Sequence, residues 1–277
     1  MSYGQSTRPR RVSEHQLRQE MVRVGRLMWE RGYVAATDGN LSARLGPDRL
    51  LVTPSGMSKG FLSVEDLVLL RPDGAPVASY RGQGKRASSE IAMHLEVYRQ
   101  RSDVNAVIHA HPPLATAFSI AGVSLARCVI PEVIVTLGGI PTTEYATPGT
   151  GEVPESIRQA IRDYDALVMA HHGSLTVGGT LWEAYLRLEK VEHTAEITLA
   201  AHQLGRVNTL SPEAVATLAE KRREVLQREG RDLCEGCSVC LLGDNYQLPA
   251  NNLGQDALVR QISQAVMKNL EGERLTQ

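Results

Sequence analysis

The chain has 277 residues, of which 42% are hydrophobic, and this is enough for one sizeable core without requiring a second domain. Its 30 Lys and Arg residues nearly balance 31 Asp and Glu residues, which argues against a general surface for nucleic acid but leaves room for a local anion pocket. No apolar run approaches the roughly 18 to 20 residues that a membrane span needs, so we expect a soluble, cytoplasmic protein.

The first predicted element is a helix that begins after Ser13. Ser13 and Gln16 have the spacing of a capping box, in which the two side chains bond each other's backbone N–H groups. Apolar residues then recur at helical spacing and should form a buried stripe: Leu17, Met21, Val24 and Met28. Residues 1–12 are expected to form a flexible tail.

Short segments rich in Gly, Pro, Asn and Asp follow Gly32, among them TDGNLSARL and LLVTPSGMSKG, and they predict turns and short strands. The next elements are a helix from about Ser89 to Arg99, a strand over NAVIHAH and a helix after Pro113. A strand over PEVIVTL and a helix over VPESIRQAIRDY follow these.

The remaining elements complete an α/β pattern. ALVMA and HHGSLTVG predict a pair of strands, a long helix extends from Thr180 to Gly205, and a charged helix begins at Ser211. We therefore expect a single domain over residues 13–230, with a central mixed or antiparallel sheet flanked by helices. Residues 231–277 are expected to form a C-terminal extension.

Two histidines, His109 and His111, lie one residue apart at the end of the predicted strand, directly before two prolines. Side chains of a strand alternate between faces, so both imidazoles should project to the same side and could hold one metal ion. Ordinary polar residues at a strand end are the alternative. A catalytic zinc usually has three protein ligands, and His171 and His172 are candidates for the third, although alternation allows only one of them to face the site.

A second group of residues is suited to anions. Ser88 and Ser89 lie where a helix begins, and Asn40, Ser55 and Gly56 lie in loops that can expose N–H groups. Each of these motifs alone is more typical of a helix cap or a turn.

Three charged residues accompany these loops. Glu90 adjoins the two serines and is compatible with a metal ligand, an acid/base group or a favourable charge in the first helical turn. Lys59 and Lys85 are interpreted as solvated side chains or weak phosphate partners.

Six motifs resemble, in order and spacing, those of the class II aldolase/adducin family: TDGNLSARL, TPSG, SSE, HAH, YATPGT and HHG. The resemblance covers about Ser13 to Gly205. It implies a homotetramer with active sites near the subunit interfaces, and one zinc ion per subunit held by His109, His111 and His172. His171 is left as a neighbour of this site.

The resemblance also implies a substrate and a reaction. The family's aldolases cleave a ketose 1-phosphate of the fuculose, 5-deoxyribulose or methylthioribulose type to dihydroxyacetone phosphate and an aldehyde. Glu90 matches the glutamate that contacts the resting metal and then acts as acid/base. The positions that hold the substrate phosphate are matched by Thr37, Asn40, Ser55, Gly56, Ser88 and Ser89.

One position departs from the aldolase pattern. Where the family's aldolases have a catalytic tyrosine before a GG turn, an ungapped comparison puts Glu132 here. A carboxylate at this position resembles the related methylthioribulose-1-phosphate dehydratases, so Glu132 is predicted to be a catalytic acid/base, with an interface salt bridge as the alternative. The alternative functions are a dehydratase of this kind, a ribulose-5-phosphate 4-epimerase-like enzyme and, among non-enzymes, an adducin-like interaction module.

The segment CEGCSVC offers three soft ligands, Cys234, Cys237 and Cys240, without an evident fourth. It is interpreted as part of a tail with free thiols, with a metal or redox role as the alternative.

Overall fold

The computed structural model describes residues 13–77 and 84–228, which contain a seven-stranded sheet. The strands are β1 (Asn40–Arg44), β2 (Leu50–Val52), β3 (Val68–Leu70), β4 (Ala106–Ala110), β5 (Thr142–Thr143), β6 (Ala166–Met169) and β7 (Gly173–Gly178). Their order is β3-β2-β1-β4-β7-β6-β5, and every pair is antiparallel except β5 with β6. The prediction of a mixed or antiparallel sheet is confirmed, and the sheet is mixed.

The helices of the described segments are α1 (Glu14–Glu30), α2 (Ile91–Gln100), α3 (Pro113–Ile120), α4 (Pro131–Leu137), α5 (Glu152–Ile157), α6 (Ala160–Asp163), α7 (Leu181–Gln203) and α8 (Pro212–Arg228). The capping box at Ser13 and Gln16 is present as predicted, and the four residues of the apolar stripe on α1 are buried. None of these helices combines the length and the apolar composition needed to cross a membrane.

Helices cover both faces of the sheet. α1 and α7 pack on one face of the sheet, to which β4 contributes Ala106, Ile108 and Ala110. α2, α5 and α6 cover the opposite face, to which β4 contributes Val107. Because side chains alternate along a strand, His109 lies on the same face as Val107, toward α2.

The prediction of a strand over PEVIVTL was wrong, because this segment forms α4. Pro131 occupies the first turn, where its fixed φ suits a helix and its missing N–H costs little. Gly138 ends the helix with φ 79°, and its N–H lies within hydrogen-bond distance of the carbonyls of Val133 and Ile134. The β-branched composition favoured a strand, but terminal signals and packing decide the conformation.

Two other boundaries differ from the prediction. The segment VPESIRQAIRDY forms two short helices, α5 and α6, instead of one, and α2 begins at Ile91, two residues later than expected. The cysteines Cys234, Cys237 and Cys240 lie outside the described residues.

α3 begins two residues beyond His111, and its N-terminus is capped by another helix. Pro112, at the N-cap position, offers no side-chain acceptor. The carboxylate of Glu192 in α7 instead accepts the N–H groups of Leu114 and Ala115, each at 2.9 Å. A carboxylate here satisfies otherwise unpaired donors and interacts favourably with the helix dipole. Glu192 thereby fixes the turn that follows His111.

We expect Glu192→Ala to lower the free energy of unfolding by about 1–2 kcal/mol, because two N–H groups of α3 lose their acceptor. Urea unfolding measures the change. Glu196→Ala, one turn farther along α7 at a position whose side chain is 67% exposed, is the control and should change stability little. Equal losses in the two variants would contradict the proposed capping role.

Candidate active site

Three histidines meet at the edge of the sheet where β4 ends and β7 begins. His109 lies in β4, His111 follows that strand by one residue, and His172 lies in the turn between β6 and β7. One ligand atom from each of the three rings lies within 4.8 Å of the others. Within the described residues, this is the cluster with the geometry of a metal site. The structure brings together the three residues that the sequence assigned to the metal.

A hydrogen bond orients the His109 ring, and close polar neighbours surround the His111 ring. The Nδ1 of His109 lies 2.9 Å from the carbonyl oxygen of Ser174 and can donate to it, which leaves its Nε2 lone pair facing the cluster. The Nε2 of His111 lies 3.0 Å from the Nε2 of His109, while its Nδ1 faces an Asp38 oxygen at 3.6 Å. Two nitrogens aimed at each other at this distance are suited to sharing a cation.

The turn that carries His172 depends on an unusual backbone and on a glycine. His171 has φ 57° and is exposed, and its N–H donates to the Ser119 hydroxyl at 3.1 Å. A Cβ on Gly173 would lie 2.3 Å from the Ala110 carbonyl oxygen and 2.7 Å from the His111 ring. Only glycine allows this close approach, a requirement that the HHG motif by itself does not reveal.

Glu90 completes the cluster from the N-terminus of α2. Its Oε1 lies 3.1 Å from His172 Nε2, and its Oε2 lies 3.5 Å from His109 Nε2. Asn40 Nδ2 donates to the same Oε2 at 2.7 Å. The structure therefore places Glu90 beside the histidines, as the sequence interpretation required.

The electrostatics of the cluster favour metal binding. Burial lowers the pKa of His109 to about 3 and also lowers the pKa of His111, so both rings are neutral near pH 7. Burial alone would raise the pKa of Glu90, but hydrogen bonds from His172 and Asn40 hold it well below its usual range. Three imidazoles and one carboxylate are a donor set that suits a divalent transition metal.

Hydrogen bonds connect the segments that contain the residues predicted to bind phosphate. The N–H of Ser55 donates to Arg86 O at 2.9 Å, and the N–H of Ser88 donates to Thr53 O at 3.3 Å. The ammonium of Lys59 donates to the carbonyls of Thr37 and Met57, both at 2.7 Å. Predicted phosphate-site residues with exposed positions in these segments are Thr37, Ser55, Gly56 and Ser89.

The interpretation of Lys59 as a solvated side chain was wrong, since it is 2% exposed and joins two loops. Burial lowers its pKa to about 8, while the charges of Asp38 and Glu90 act in the opposite direction. Lys85 pairs with Asp66. Both lysines thus hold the structure around the loops together.

Asn40 and Glu132 occupy positions that the sequence did not anticipate. Asn40 is 3% exposed, and its amide is engaged by Glu90 on one side and His94 on the other. The hydrogen bond from Asn40 to Glu90 helps to hold the Glu90 carboxylate in place. Glu132 is exposed in the first turn of α4, and within the described residues no hydrogen bond or ion pair joins it to Glu90 or to the three histidines.

Comparison with known proteins relates this arrangement to a family. The sequence profile of the Class II Aldolase and Adducin N-terminal domain matches residues 19–199. The L-fuculose phosphate aldolase of Methanococcus maripaludis is 32% identical over 185 residues, covering 67% of this chain and 97% of the relative. The 3-oxo-tetronate 4-phosphate decarboxylase of Escherichia coli is 31% identical over 188 residues, covering 66% of this chain and 86% of the relative.

Solved structures agree with the sequence matches. YgbL from Escherichia coli superimposes with a TM-score of 0.68 at 30% identity, covering 74% of this chain and 99% of that protein. The L-fuculose-1-phosphate aldolase of Thermus thermophilus gives a TM-score of 0.60 at 32% identity, covering 70% and 98%. The chain therefore belongs to the class II aldolase and adducin family.

Proposed function

We propose that the protein is a zinc-dependent aldolase that cleaves a ketose 1-phosphate to dihydroxyacetone phosphate and an aldehyde. The observation that carries this proposal is the position of the Glu90 carboxylate, 3.1 Å from His172 Nε2 and 3.5 Å from His109 Nε2. A candidate proton carrier thus adjoins nitrogens suited to a metal. Relatives named L-fuculose phosphate aldolase support the same assignment.

The donor set favours zinc, which commonly binds three protein ligands in catalytic sites. His109, His111 and His172 would hold the ion, with Glu90 beside it in the resting enzyme. Zinc would supply Lewis-acid polarisation of the substrate carbonyl and stabilisation of the negative charge that develops on cleavage.

The chain's own residues would position the substrate and move the proton. The segments of Thr37, Ser55–Gly56 and Ser88–Ser89 would bind the phosphate, aided by the favourable field at the N-terminus of α2. Glu90 would accept the proton of the C4 hydroxyl as the C3–C4 bond breaks. The electron pair of the broken bond stays with C3 and forms an enediolate over C2 and C3. Returning this proton to C3 restores the C2 carbonyl and gives dihydroxyacetone phosphate.

Glu132 remains a proposed acid/base for a substrate hydroxyl other than the one that Glu90 deprotonates. Because it is exposed on α4 and does not contact the site of its own chain, we infer that it would act from a neighbouring subunit of a homotetramer. A carboxylate supplied in this way would reach the substrate at the subunit interface.

A second candidate is the decarboxylation of a 3-oxo-tetronate 4-phosphate, the activity named for the relatives at 31–32% identity. Loss of CO₂ from C1 of such a substrate leaves an enediolate over C2 and C3, and protonation at C2 gives the same dihydroxyacetone phosphate. The two reactions differ in the group that leaves. The same phosphate loops and proton carrier would serve both.

The proposal is tested by offering zinc-loaded protein a panel of phosphorylated substrates and following the carbon products by NMR. The panel comprises the 1-phosphates of fuculose, 5-deoxyribulose and methylthioribulose, together with a 3-oxo-tetronate 4-phosphate. We expect dihydroxyacetone phosphate and an aldehyde, with turnover lost in a chelated control. Release of CO₂ from the 3-oxo acid alone would replace the aldolase with the decarboxylase, and a dehydrated or epimerised product without cleavage would overturn both.

We expect His172→Ala to lower zinc occupancy, because the variant removes one of three ligand nitrogens. Metal analysis of purified protein and competition with a chelator measure the effect. His171→Ala is the matched control, since the neighbouring ring is exposed and lies outside the cluster. Equal occupancy in the two variants would exclude His172 as a ligand.

Glu90→Gln should lower kcat by about 100- to 10,000-fold, because an amide cannot carry the proton. Steady-state kinetics of the zinc-saturated variant on the best substrate of the panel measure the loss, and metal analysis should show that the three histidines still hold zinc under those conditions. Turnover equal to that of the unmodified protein would refute the role of Glu90.

A further inference from the structure

A buried chain of hydrogen bonds ends at the Glu90 carboxylate. The hydroxyls of Tyr98 and Ser42 lie 2.8 Å apart, and Ser42 Oγ lies 2.7 Å from His94 Nδ1. His94 Nε2 lies 2.5 Å from Asn40 Oδ1, and Asn40 Nδ2 lies 2.7 Å from Glu90 Oε2. This series of hydrogen bonds therefore passes from Tyr98 in α2 to Ser42 in β1, back to His94 in α2 and again to Asn40 in β1, and it ends beside the histidine cluster.

The carboxylate fixes the direction of every donor in this chain. Ionised Glu90 only accepts hydrogen bonds, so Asn40 must turn its NH₂ group toward it and its carbonyl oxygen toward His94. His94 must then donate from Nε2, which leaves Nδ1 as an acceptor. The Ser42 hydroxyl donates to that nitrogen, and the Tyr98 hydroxyl donates to Ser42. One histidine tautomer satisfies all the contacts.

The middle of this series of hydrogen bonds is shielded from water. Ser42 is fully buried, and His94 and Asn40 are 1% and 3% exposed. Burial lowers the pKa of His94 to about 4, while the charge of Glu90 acts in the opposite direction, and burial raises the pKa of Tyr98. His94 therefore stays neutral near pH 7 and keeps a single pattern of donor and acceptor.

We propose that His94, acting through Asn40, is a positioning residue that holds the Glu90 carboxylate in place beside the three histidines. A flipped Asn40 amide would set its oxygen against a carboxylate oxygen, and the Nε2–H of His94 opposes that flip. The inference rests on the proposed function of Glu90 as resting metal ligand and proton carrier. His94, Ser42 and Tyr98 lie behind Asn40 in this series of hydrogen bonds, and none of the three needs to touch the substrate.

Two substitutions at the same position separate positioning from packing. In His94→Gln the side-chain amide nitrogen occupies the place of Nε2 and still donates to Asn40. In His94→Asn the shorter side chain reaches only the place of Nδ1, so the contact with Ser42 survives and the contact with Asn40 is lost. Val97→Ala truncates a buried core residue on the same helix and is the control for a general loss of stability.

The experiment compares the kinetics of the three zinc-loaded variants. We expect His94→Asn to lower kcat by about 10- to 100-fold, as loss of a second contact behind a metal-site ligand commonly does. Its KM should change by less than about threefold, and His94→Gln and Val97→Ala should stay within about threefold of the unmodified kcat. Equal kcat values for the Gln and Asn variants, or a loss confined to KM, would overturn the proposal.

Two measurements need no turnover. Histidine ¹⁵N NMR of the metal-free protein should show His94 as the Nε2–H tautomer, and an Nδ1–H tautomer would overturn the proposal. Chelator competition should show about 10- to 100-fold weaker zinc binding for His94→Asn than for His94→Gln. If the unmodified protein cleaves no substrate but both results hold, the proposed function fails while the positioning of Glu90 stands.

Discussion

The antiparallel pairing of β4 with β7 is the constraint on which the site depends. Its register aligns the end of one strand with the start of the other, so His109 and His111 come beside His172. The approach requires that residue 173 have no side chain, because the Ala110 carbonyl oxygen occupies the space that a Cβ would need. The three histidine rings are thus brought together by backbone pairing, the most rigid framework that the fold offers.

A partly buried carboxylate next to these nitrogens is stable only because its partners are fixed. Removing an ionised group from water is costly unless hydrogen bonds and opposite charges replace the lost hydration. The partners of the Glu90 carboxylate are His172 and Asn40, and Asn40 is in turn hydrogen-bonded to His94. The polar groups behind the site therefore form one satisfied network, and disturbing any member leaves another unsatisfied.

The local signals of the sequence predicted many elements and the pairing of His109 with His111, because those signals lie within a few residues of one another. The family resemblance, and not a local signal, selected His172 over His171. Ser13 and Gln16 defined the start of α1, and the alternation of a strand explained the HAH motif. The strand prediction over PEVIVTL failed because α4 is fixed by its terminal residues and its packing, which outweigh the preference of β-branched residues.

Other features could not be predicted because their partners are distant in the chain. Asn40 meets His94 across 54 positions, and Lys59 reaches the Thr37 carbonyl across 22, so both roles emerge only once β1, α2 and the loops have packed together. No local pattern distinguishes Lys59 from a solvated lysine. Its burial is a property of the tertiary structure alone.

The buried lysine also has a thermodynamic consequence. Its pKa is about 8 in the folded chain, against 10.5 for a fully hydrated lysine side chain, which represents the unfolded chain. Between these values the unfolded chain holds a proton that the folded chain has released, so the contribution of Lys59 makes the free energy of unfolding rise with pH. Below that interval both states carry the charge and the folded state bears the cost of burying it. At neutral pH the loops of Thr37 and Met57 are therefore joined by an ion that the protein interior disfavours.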